Sequence, residues 1–176
     1  MIKLNLGCGK KHLKGYINVD KSKEVNPDKI VDLEKPLLFE DNSIDEVVGN
    51  HILEHIKNFI PLIHELHRVC KNGAILKFTV PFYASLGAHD DPTHVRFFSP
   101  FTFNYFTDDE FLYEMEVKKG IFKINKVKLN YTFEKSKIAN ILINPIINLN
   151  HRRYCKLLAG ILPAAEIEYE LEVVKW

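Results

Sequence analysis

The sequence predicts an open α/β sheet that ends in an antiparallel pair of strands. Three observations indicate this class. The first half contains several short apolar segments typical of strands, one amphipathic helix separates the fourth from the fifth, and two longer alternating segments lie near the C-terminus. The 176 residues are 46% apolar and 11% aromatic, which is typical of a folded chain with one core. We therefore expect residues 1–176 to form a single domain.

The first half supplies five short strands and one helix. A helix is predicted from Asn58 to Cys70 because apolar residues recur there at steps of three and four. Asn58 is expected to cap the helix, Pro61 is tolerated in its first turn, and Lys71–Gly73 is expected to end it. The stripe consists of Ile56, Phe59, Ile60, Ile63, Leu66 and Val69. The strands are Ile2–Leu6, Tyr16–Val19, Ile30–Val31, Ile44–Asn50 and Gly73–Pro81.

The second half supplies the two longer strands. Gly120–Phe133 alternates, but its parity slips, which predicts a bulge near Asn125–Lys126. Glu166–Lys175 alternates strictly, with apolar residues on one face and a row of glutamates on the other. We interpret the glutamate row as a partly solvated strand face rather than as an acidic binding surface. Between these regions, Thr107 and Glu110 have the spacing of a capping box.

Charge and cysteine content exclude several classes of protein. The chain has 24 basic and 23 acidic residues, so its balance gives no support to nucleic-acid binding. Cys8, Cys70 and Cys155 are odd in number and widely spaced, which predicts neither disulfides nor a metal-type pair and is typical of a reducing compartment. No signal peptide and no apolar run long enough to span a membrane is expected. We predict a cytoplasmic protein.

Polar and glycine residues follow four successive strands. Gly7-Cys8-Gly9 follows the first strand, Asp20 ends the second, Asp32-Leu33 follows the third, and Asn50-His51 ends the fourth. Ligands of open α/β sheets bind at the carboxyl ends of the strands, where these residues meet. Each feature alone is weak, since a glycine pair is usually a tight turn and a lone acid is usually solvated. Four in register predict a cofactor site.

The identity of the cofactor comes from a family resemblance. The third glycine of the dinucleotide pattern and the Gly-Lys-Ser/Thr of nucleotide cradles are both lacking, so NAD and ATP are not supported. The sequence resembles class I S-adenosylmethionine (SAM)-dependent methyltransferases of the type 11 kind. The matching segments are LNLGCG, Asp20, VDLEKPLLFEDNSIDEVVGNHILEHI, HELHRVCKNGAILKFTVP, DPTHVRFFSP and AAEIEYELEVVK. The resemblance implies a Rossmann-like sheet of order 3-2-1-4-5-7-6 with the last strand antiparallel, and SAM as cofactor.

The resemblance also implies a role for each residue of the site. Gly7 and Gly9, with Cys8 between them, are expected along the methionine part of SAM. Asp20 is expected to bind the ribose, and Asp32 and Leu33 to bracket the adenine. Asn50 and His51 are expected to close the floor under the sulfonium.

The chain departs from the family in its first helices. The first strand begins at Ile2, so the helix that normally precedes it is expected to be lost. Only Lys10–Gly15 is available to cross back to the second strand. A strand of about five residues is roughly 17 Å long. Six helical residues reach only about 9 Å, whereas six extended residues reach at most about 20 Å. We therefore predict an extended loop in place of the second helix.

The loop after the fifth strand carries the candidates for a catalytic base. His94, Asp91 and His89 lie in the segment GAHDDPTHVR, and histidine titrates near the pH that a hydroxyl acceptor requires. Arg96 could hold an anionic substrate group. A loop merely closed by Asp and His hydrogen bonds is the structural alternative. No recognised metal-ligand spacing is present, so no metal is expected, although His and Asp are common ligands.

Residues 135–163 form an apolar and basic insertion between the last two strands. We predict two helices broken at Pro145. The segment is interpreted as a lid over the acceptor site, a dimer surface, or a peripheral contact with a membrane, and a monomer and a homodimer both remain open.

The function predicted is methyl transfer from SAM to a small, hydroxylated acceptor, with a sugar or surface-polysaccharide precursor implied by resemblance alone. Two alternatives remain open: a SAM-binding module without catalysis, and a metal-dependent hydrolase that uses His89, Asp91 and His94.

Overall fold

A seven-stranded sheet organises the structure, a computed structural model that describes residues 1–107, 118–132 and 137–175. The strand order is β3-β2-β1-β4-β5-β7-β6, as the resemblance implies. The strands are β1 (Lys3–Leu6), β2 (Ile17–Asp20), β3 (Lys29–Ile30), β4 (Ile44–Asn50), β5 (Cys70–Pro81), β6 (Phe122–Asn130) and β7 (Glu166–Val173). The capping box predicted at Thr107–Glu110 extends beyond the described residues.

The first five strands are parallel, and β7 runs antiparallel to both of its neighbours. β7 pairs antiparallel with both β5 and β6, which confirms the predicted end of the sheet. The register of β6 shifts between Ile124 and Lys126, which confirms the predicted bulge. All parallel strands therefore end at the same edge of the sheet, where the glycine and acidic residues were expected to meet.

Helix α1 (Phe59–Val69) covers one face of the sheet. Its buried residues are Phe59, Leu62, Ile63, Leu66 and Val69, close to the predicted stripe. The cap differs from the prediction, because the Asn58 side chain makes no capping hydrogen bond. Instead, the Glu34 carboxylate accepts from the backbone N–H groups of Lys57 and Asn58 at 2.7 and 2.9 Å. A carboxylate from a distant loop thus supplies the negative charge that the first turn requires.

The end of α1 also differs from the prediction. The helix ends at Val69 and β5 begins at once at Cys70, so Lys71–Gly73 belongs to the strand. The pairing of β4 with β5 jumps there, from Ile44 opposite Cys70 to Glu46 opposite Ile75. Gly73 has a φ of +77°, which permits this irregular entry.

The crossover from β1 to β2 is a loop, as predicted. No helix lies between Leu6 and Ile17. Two buried asparagines hold the loop: Asn5 Nδ2 donates to Lys11 O at 2.9 Å, and Asn18 Oδ1 accepts from Leu13 N at 2.8 Å. Asn5 Nδ2 also donates to Asn18 Oδ1 at 2.9 Å. Side-chain amides thus satisfy backbone groups that a helix would otherwise satisfy internally.

The sheet face that bears Asn5 and Asn18 is polar across β7 as well. Glu168, Glu170 and Glu172 are half-buried, as expected for a partly solvated face. They lie opposite lysines of the neighbouring strands, such as Lys77 opposite Glu170. Opposite charges across strands stabilise a face of this kind. Glu166 differs from the other glutamates because it is buried.

Helices α2 (Lys137–Ile147) and α3 (His151–Leu157) lie in the predicted insertion. The break was wrongly predicted at Pro145, which lies inside α2. The break falls at residues 148–150, because Asn150 Oδ1 accepts from Arg153 N at 2.9 Å and starts α3. α2 keeps its course past Pro145 because its asparagines hold it against the edge strand β6. Asn148, Asn144 and Asn140 accept from the backbone N–H groups of Leu129, Tyr131 and Thr132, at 2.7–2.9 Å.

Replacement of Asn18 by alanine is expected to destabilise the fold by about 1–3 kcal/mol, because buried partners lose their hydrogen bonds. The side chain bonds Leu13, Tyr16 and Asp28 as well as Asn5. Urea unfolding measures the free energy. Asn125→Ala is the matched control, since Asn125 is exposed and bonds only Glu172 among described residues. Equal stability of the two variants would contradict this role of Asn18.

Candidate functional site

A cavity of about 620 Å³ opens at the carboxyl ends of the parallel strands. This volume lies within the roughly 300–1,000 Å³ of small-molecule sites. The cavity is lined by Gly7, Asp20, Lys21, Val31, Asp32, Leu33, Glu34, His51, Ile52, His55, Ile56, Lys57, Pro92, Thr93 and Val95. Acidic side chains lie toward β2 and β3, and imidazoles follow β4, so the two ends of the cavity differ in chemistry.

The glycine turn after β1 leaves open space beside the cavity. Gly7 and Gly9 have φ values of +57° and +49°, in the left-handed region that favours glycine. A Cβ on Gly7 would lie 2.4 Å from the Ile52 side chain, so Gly7 allows close packing. A Cβ on Gly9 would meet nothing within 4 Å, and Gly9 itself lies outside the cavity lining. Cys8 between them is buried and outside the cavity lining.

Asp20 lines the cavity at the end of β2 and is oriented by two backbone amides. Its Oδ2 accepts from Gly9 N and its Oδ1 accepts from Ser22 N, both at 2.9 Å. The bond to Gly9 ties the ends of β1 and β2 together. The carboxylate is therefore fixed in place, and its remaining lone pairs can accept from hydroxyl groups.

The loop after β3 forms a wall with acidic and apolar parts. Asp32 Oδ1 accepts from Glu34 N at 3.1 Å, which leaves its other oxygen near the Lys35 ammonium. The apolar residues of this loop, Val31 and Leu33, line the cavity together with Ile52 and Ile56 from the segment after β4. An apolar slot beside two carboxylates is suited to a planar base attached to a sugar.

His51 holds a positive charge between two glutamates. Its Nδ1 lies 3.3 Å from Glu54 Oε1 and its Nε2 lies 3.4 Å from Glu166 Oε2. The carboxylates of Glu166 and Glu54 raise the pKa of His51 to about 9, against the opposing effect of burial. Glu54 is only 1% exposed and accepts no hydrogen bond from the described residues, so this ion pair compensates its burial. His51 has a φ of +51°, an uncommon conformation that often marks a functional position.

His55 lines the cavity and is joined to Asp91 through Thr93. The Thr93 hydroxyl donates to Asp91 Oδ1 at 2.7 Å, so its oxygen accepts from His55 Nδ1–H, 2.9 Å away. With the proton on Nδ1, the Nε2 lone pair of His55 accepts a hydrogen bond from none of the described residues. The hydrogen bonds from Thr93 hold the pKa of Asp91 below its usual range.

The structure places the three predicted catalytic residues differently. Asp91 belongs to the relay just described. His94 packs edge-to-face on His55, with ring centroids 4.7 Å apart, and its Nδ1 lies 3.2 Å from Ala88 O. His89 is turned away, bonding Tyr83 O and stacking on Phe97. Neither His94 nor His89 lines the cavity among the described residues.

The structure brings together a group of potential metal ligands that differs from the His89, Asp91 and His94 of the hydrolase alternative. Glu54, His55 and His94 offer one ligand atom each, all within 4.8 Å of one another. His89 and Asp91 are not part of this group. Carboxylate and imidazole groups are common metal ligands, so these three side chains could together hold a metal ion.

Five predicted cofactor residues line the cavity: Gly7, Asp20, Asp32, Leu33 and His51. Gly9 supports Asp20 from behind, and Asn50 is exposed at the sheet edge. Assignment of these residues to parts of SAM stays a prediction. His55 and Thr93 are the main residues that sequence reasoning missed as site members. The sequence places His55 near His51, and Thr93 between Asp91 and His94. Only the path of the folded loop shows that His55 and Thr93 line the cavity whereas His94 does not.

Comparison with known proteins agrees with the architecture. Residues 4–78 match the family model described as methyltransferase domain, of the type 11 group. No curated protein matches the sequence. A SAM-dependent methyltransferase from Archaeoglobus fulgidus is 18% identical over 97% of this chain and 85% of its own, with a TM-score of 0.62. A chain of the complex between the Haloferax volcanii Trm112 methyltransferase activator and a methyltransferase gives a TM-score of 0.66, at 14% identity over 99% and 83%.

A third similar structure is a SAM-dependent methyltransferase from Mesorhizobium loti, 15% identical over 97% of this chain and 90% of its own, with a TM-score of 0.57. The strand order, the glycine turn and the acidic strand ends define a Rossmann-like methyltransferase fold. The family match over residues 4–78 and this fold together support a class I SAM-dependent methyltransferase. In the part of the chain that the structure describes, every helix is too short or too polar to cross a membrane.

The raised pKa of His51 predicts a loss of stability at alkaline pH. The pKa is about 9 in the folded protein and about 6.5 when unfolded. The contribution of the imidazolium is therefore complete below pH 6.5 and is lost as the pH rises through 9. NMR titration of the His51 ring should give a midpoint near 9, and Glu166→Gln should lower it. Urea unfolding at pH 6.5 and 9.5 should show a decrease that His51→Gln reduces. A His51 midpoint near 6.5 in the wild type would contradict the ion pairs.

Proposed function

We propose that this cavity binds SAM and transfers its methyl group to a small hydroxylated acceptor. One observation carries the proposal. The cavity has carboxylate and apolar side chains at one end, and the imidazoles of His51 and His55 at the other. When bound, SAM supplies an electrophilic methyl group on a positively charged sulfur. The residues present fit such a molecule, because Gly9 leaves open space and Asp20 stands fixed at the end of β2.

The adenosine part is assigned to the end of the cavity near β2 and β3. Asp20 is proposed to accept from the ribose hydroxyls, because its two oxygens are oriented and acceptor-only. The adenine is proposed to lie between Leu33 and the apolar side chains of Val31 and Ile56, beside Asp32. The methionine part is proposed to extend toward β4, with Gly7 in the cavity lining and Gly9 behind Asp20.

The methyl end of the site is proposed to be electrostatically negative. The imidazolium of His51 stands between the carboxylates of Glu54 and Glu166, so the three groups together carry one net negative charge. Such a group favours a cation over a neutral molecule nearby. Transfer of the methyl group removes the positive charge on sulfur. The negative group formed by His51, Glu54 and Glu166 would therefore hold SAM more tightly than the demethylated product.

His55 is proposed as the general base. Its Nδ1–H is held by Thr93, whose hydroxyl is held by Asp91, so its free Nε2 can take the proton of the acceptor hydroxyl. With SAM bound, the deprotonated acceptor oxygen would take the methyl group, and the sulfur would leave as a neutral thioether. Asp91 acts as a positioning residue, and His94 fixes the ring of His55 by edge-to-face packing.

A sugar or sugar-linked hydroxyl is the proposed acceptor class. The site offers an imidazole with several nearby polar groups, which suits a polyhydroxylated molecule better than a purely apolar one. The cytoplasm is the proposed compartment, since Cys8, Cys70 and Cys155 are all free thiols.

Asp20→Ala is expected to weaken SAM binding about 10- to 100-fold, because charged hydrogen bonds contribute about 1.5–3 kcal/mol each. Isothermal titration calorimetry measures the dissociation constant. Glu40→Ala is the control, since Glu40 is exposed and outside the cavity lining. Asp20→Asn separates charge from shape, because it keeps the side-chain size. Equal affinity in the wild type and Asp20→Ala, or no binding by either, would contradict the site.

His55→Gln is expected to lower kcat about 10²- to 10⁴-fold while SAM binding changes little, because a general base contributes that range. The measurement is transfer of labelled methyl groups to a panel of sugars. His64→Gln is the control, because His64 lies on α1 outside the cavity lining. An unchanged kcat would exclude His55 as the base.

Dialysis against a chelator tests the set of Glu54, His55 and His94. Activity that survives metal removal excludes the metal-dependent hydrolase and any metal-dependent transfer. SAM binding without turnover on any acceptor would favour the non-catalytic module.

A further inference from the structure

Helix α2 has its polar side inward and its apolar side outward. Asn140 and Asn144 of α2, and Asn148 just after it, recur every four residues and bond the backbone at the end of β6 and just beyond it. The opposite side of the helix is apolar and exposed, with Ile141 at 71% and Leu142 at 67%. A surface helix of a globular protein normally shows the reverse arrangement. The Asn contacts therefore account for one side of α2 and leave the other without a partner in the described structure.

Exposed apolar residues continue along the chain from α2 through the turn and α3. Ile138 and Ile146 add to the exposed side of α2, and Leu149 in the turn before α3 is 87% exposed. After the turn, Leu157 and Ile161 are also exposed. Contiguous apolar surface on this scale marks an interaction site rather than scattered surface residues. We call residues 138–161 with these side chains the α2–α3 surface.

Every charge on the α2–α3 surface is positive. Arg152, Arg153 and Lys156 are all exposed. The sequence from Ile138 to Ala165 contains no aspartate or glutamate. Exposed isoleucine and leucine beside cations are the two features with which interfacial helices bind anionic lipid. A protein partner or a second copy requires no such exclusion of acidic residues.

We propose that the α2–α3 surface binds the surface of an anionic lipid bilayer. The isoleucine and leucine side chains enter the boundary between headgroups and acyl chains, while Arg153 and Lys156 contact the anionic headgroups. Helices α2 and α3 are far too short to cross a bilayer, so the contact is peripheral. Since no described residue of this segment lines the cavity, membrane binding and methyl transfer can be measured separately.

Sedimentation with lipid vesicles tests the proposal on the full-length protein. Vesicles of phosphatidylcholine with about one third phosphatidylglycerol are expected to bind the wild type at least about tenfold more tightly than pure phosphatidylcholine, because each basic residue near an anionic surface contributes about 1 kcal/mol. Binding should weaken at high salt, since salt screens exposed charges. Ile141→Gln with Leu142→Gln should abolish binding. Arg153→Glu with Lys156→Glu should abolish the preference for phosphatidylglycerol.

Leu38→Gln is the control, because Leu38 is more exposed than Ile141 and Leu142 and lies outside the α2–α3 surface. It should bind vesicles as the wild type does, and all variants should keep the urea midpoint and SAM affinity of the wild type. Failure of the wild type to bind phosphatidylglycerol vesicles, or equal binding by the glutamine pair, would overturn the proposal. A dimer in light scattering that the glutamine pair dissociates, without vesicle binding, would instead show an interface between two copies.

Discussion

The short connection between the first two strands is the constraint on which the rest of the site depends. Lys10–Gly15 must return the chain along the full length of a strand, and it does so as a loop held by Asn5 and Asn18. Because these buried amides satisfy the loop, β1 and β2 stay paired in register up to Leu6 and Val19. That register brings Gly9 N within hydrogen-bonding distance of Asp20, so the Asp20 end of the cavity depends on a correctly held crossover.

The opposite end of the cavity depends on charge rather than on hydrogen bonding of the backbone. Glu54 is buried, and burial of a lone carboxylate is unfavourable unless a cation compensates it. His51 provides that cation while Glu166, from the antiparallel strand β7, adds a second carboxylate. The chain thus joins the His51 end of the cavity to β7, the last strand in sequence. Loss of order in β7 would therefore remove Glu166 from His51 as well as disturb the core.

The insertion between β6 and β7 covers the exposed edge of the sheet at β6. An exposed edge strand offers unpaired N–H and C=O groups to other chains. α2 covers this edge with its asparagines, which forces its isoleucines and leucines to face outward. Protection of the edge therefore creates an apolar surface, and the surrounding arginines and lysine determine which kind of partner suits that surface.

Much of the fold follows from local patterns. Alternation located β7 and the bulge in β6, spacing located α1, and chain reach alone predicted the loop between β1 and β2. The glycine and acidic residues at strand ends indicated the cavity, because parallel strands share one carboxyl edge. These inferences depend only on hydrophobic periodicity and on the number of residues between features, and both can be read directly from the sequence.

Contacts between distant segments were decided by the tertiary structure. The cap of α1 by Glu34, the pairing of His51 with Glu166, and the relay from His55 through Thr93 to Asp91 join residues that are far apart in sequence. Sequence patterns favoured His94 as the base, but loop closure turned its ring against His55. The sequence by itself determined the order of elements and the residue types at each strand end. Only the folded chain decided which side chains meet, because that depends on register and loop path rather than on spacing.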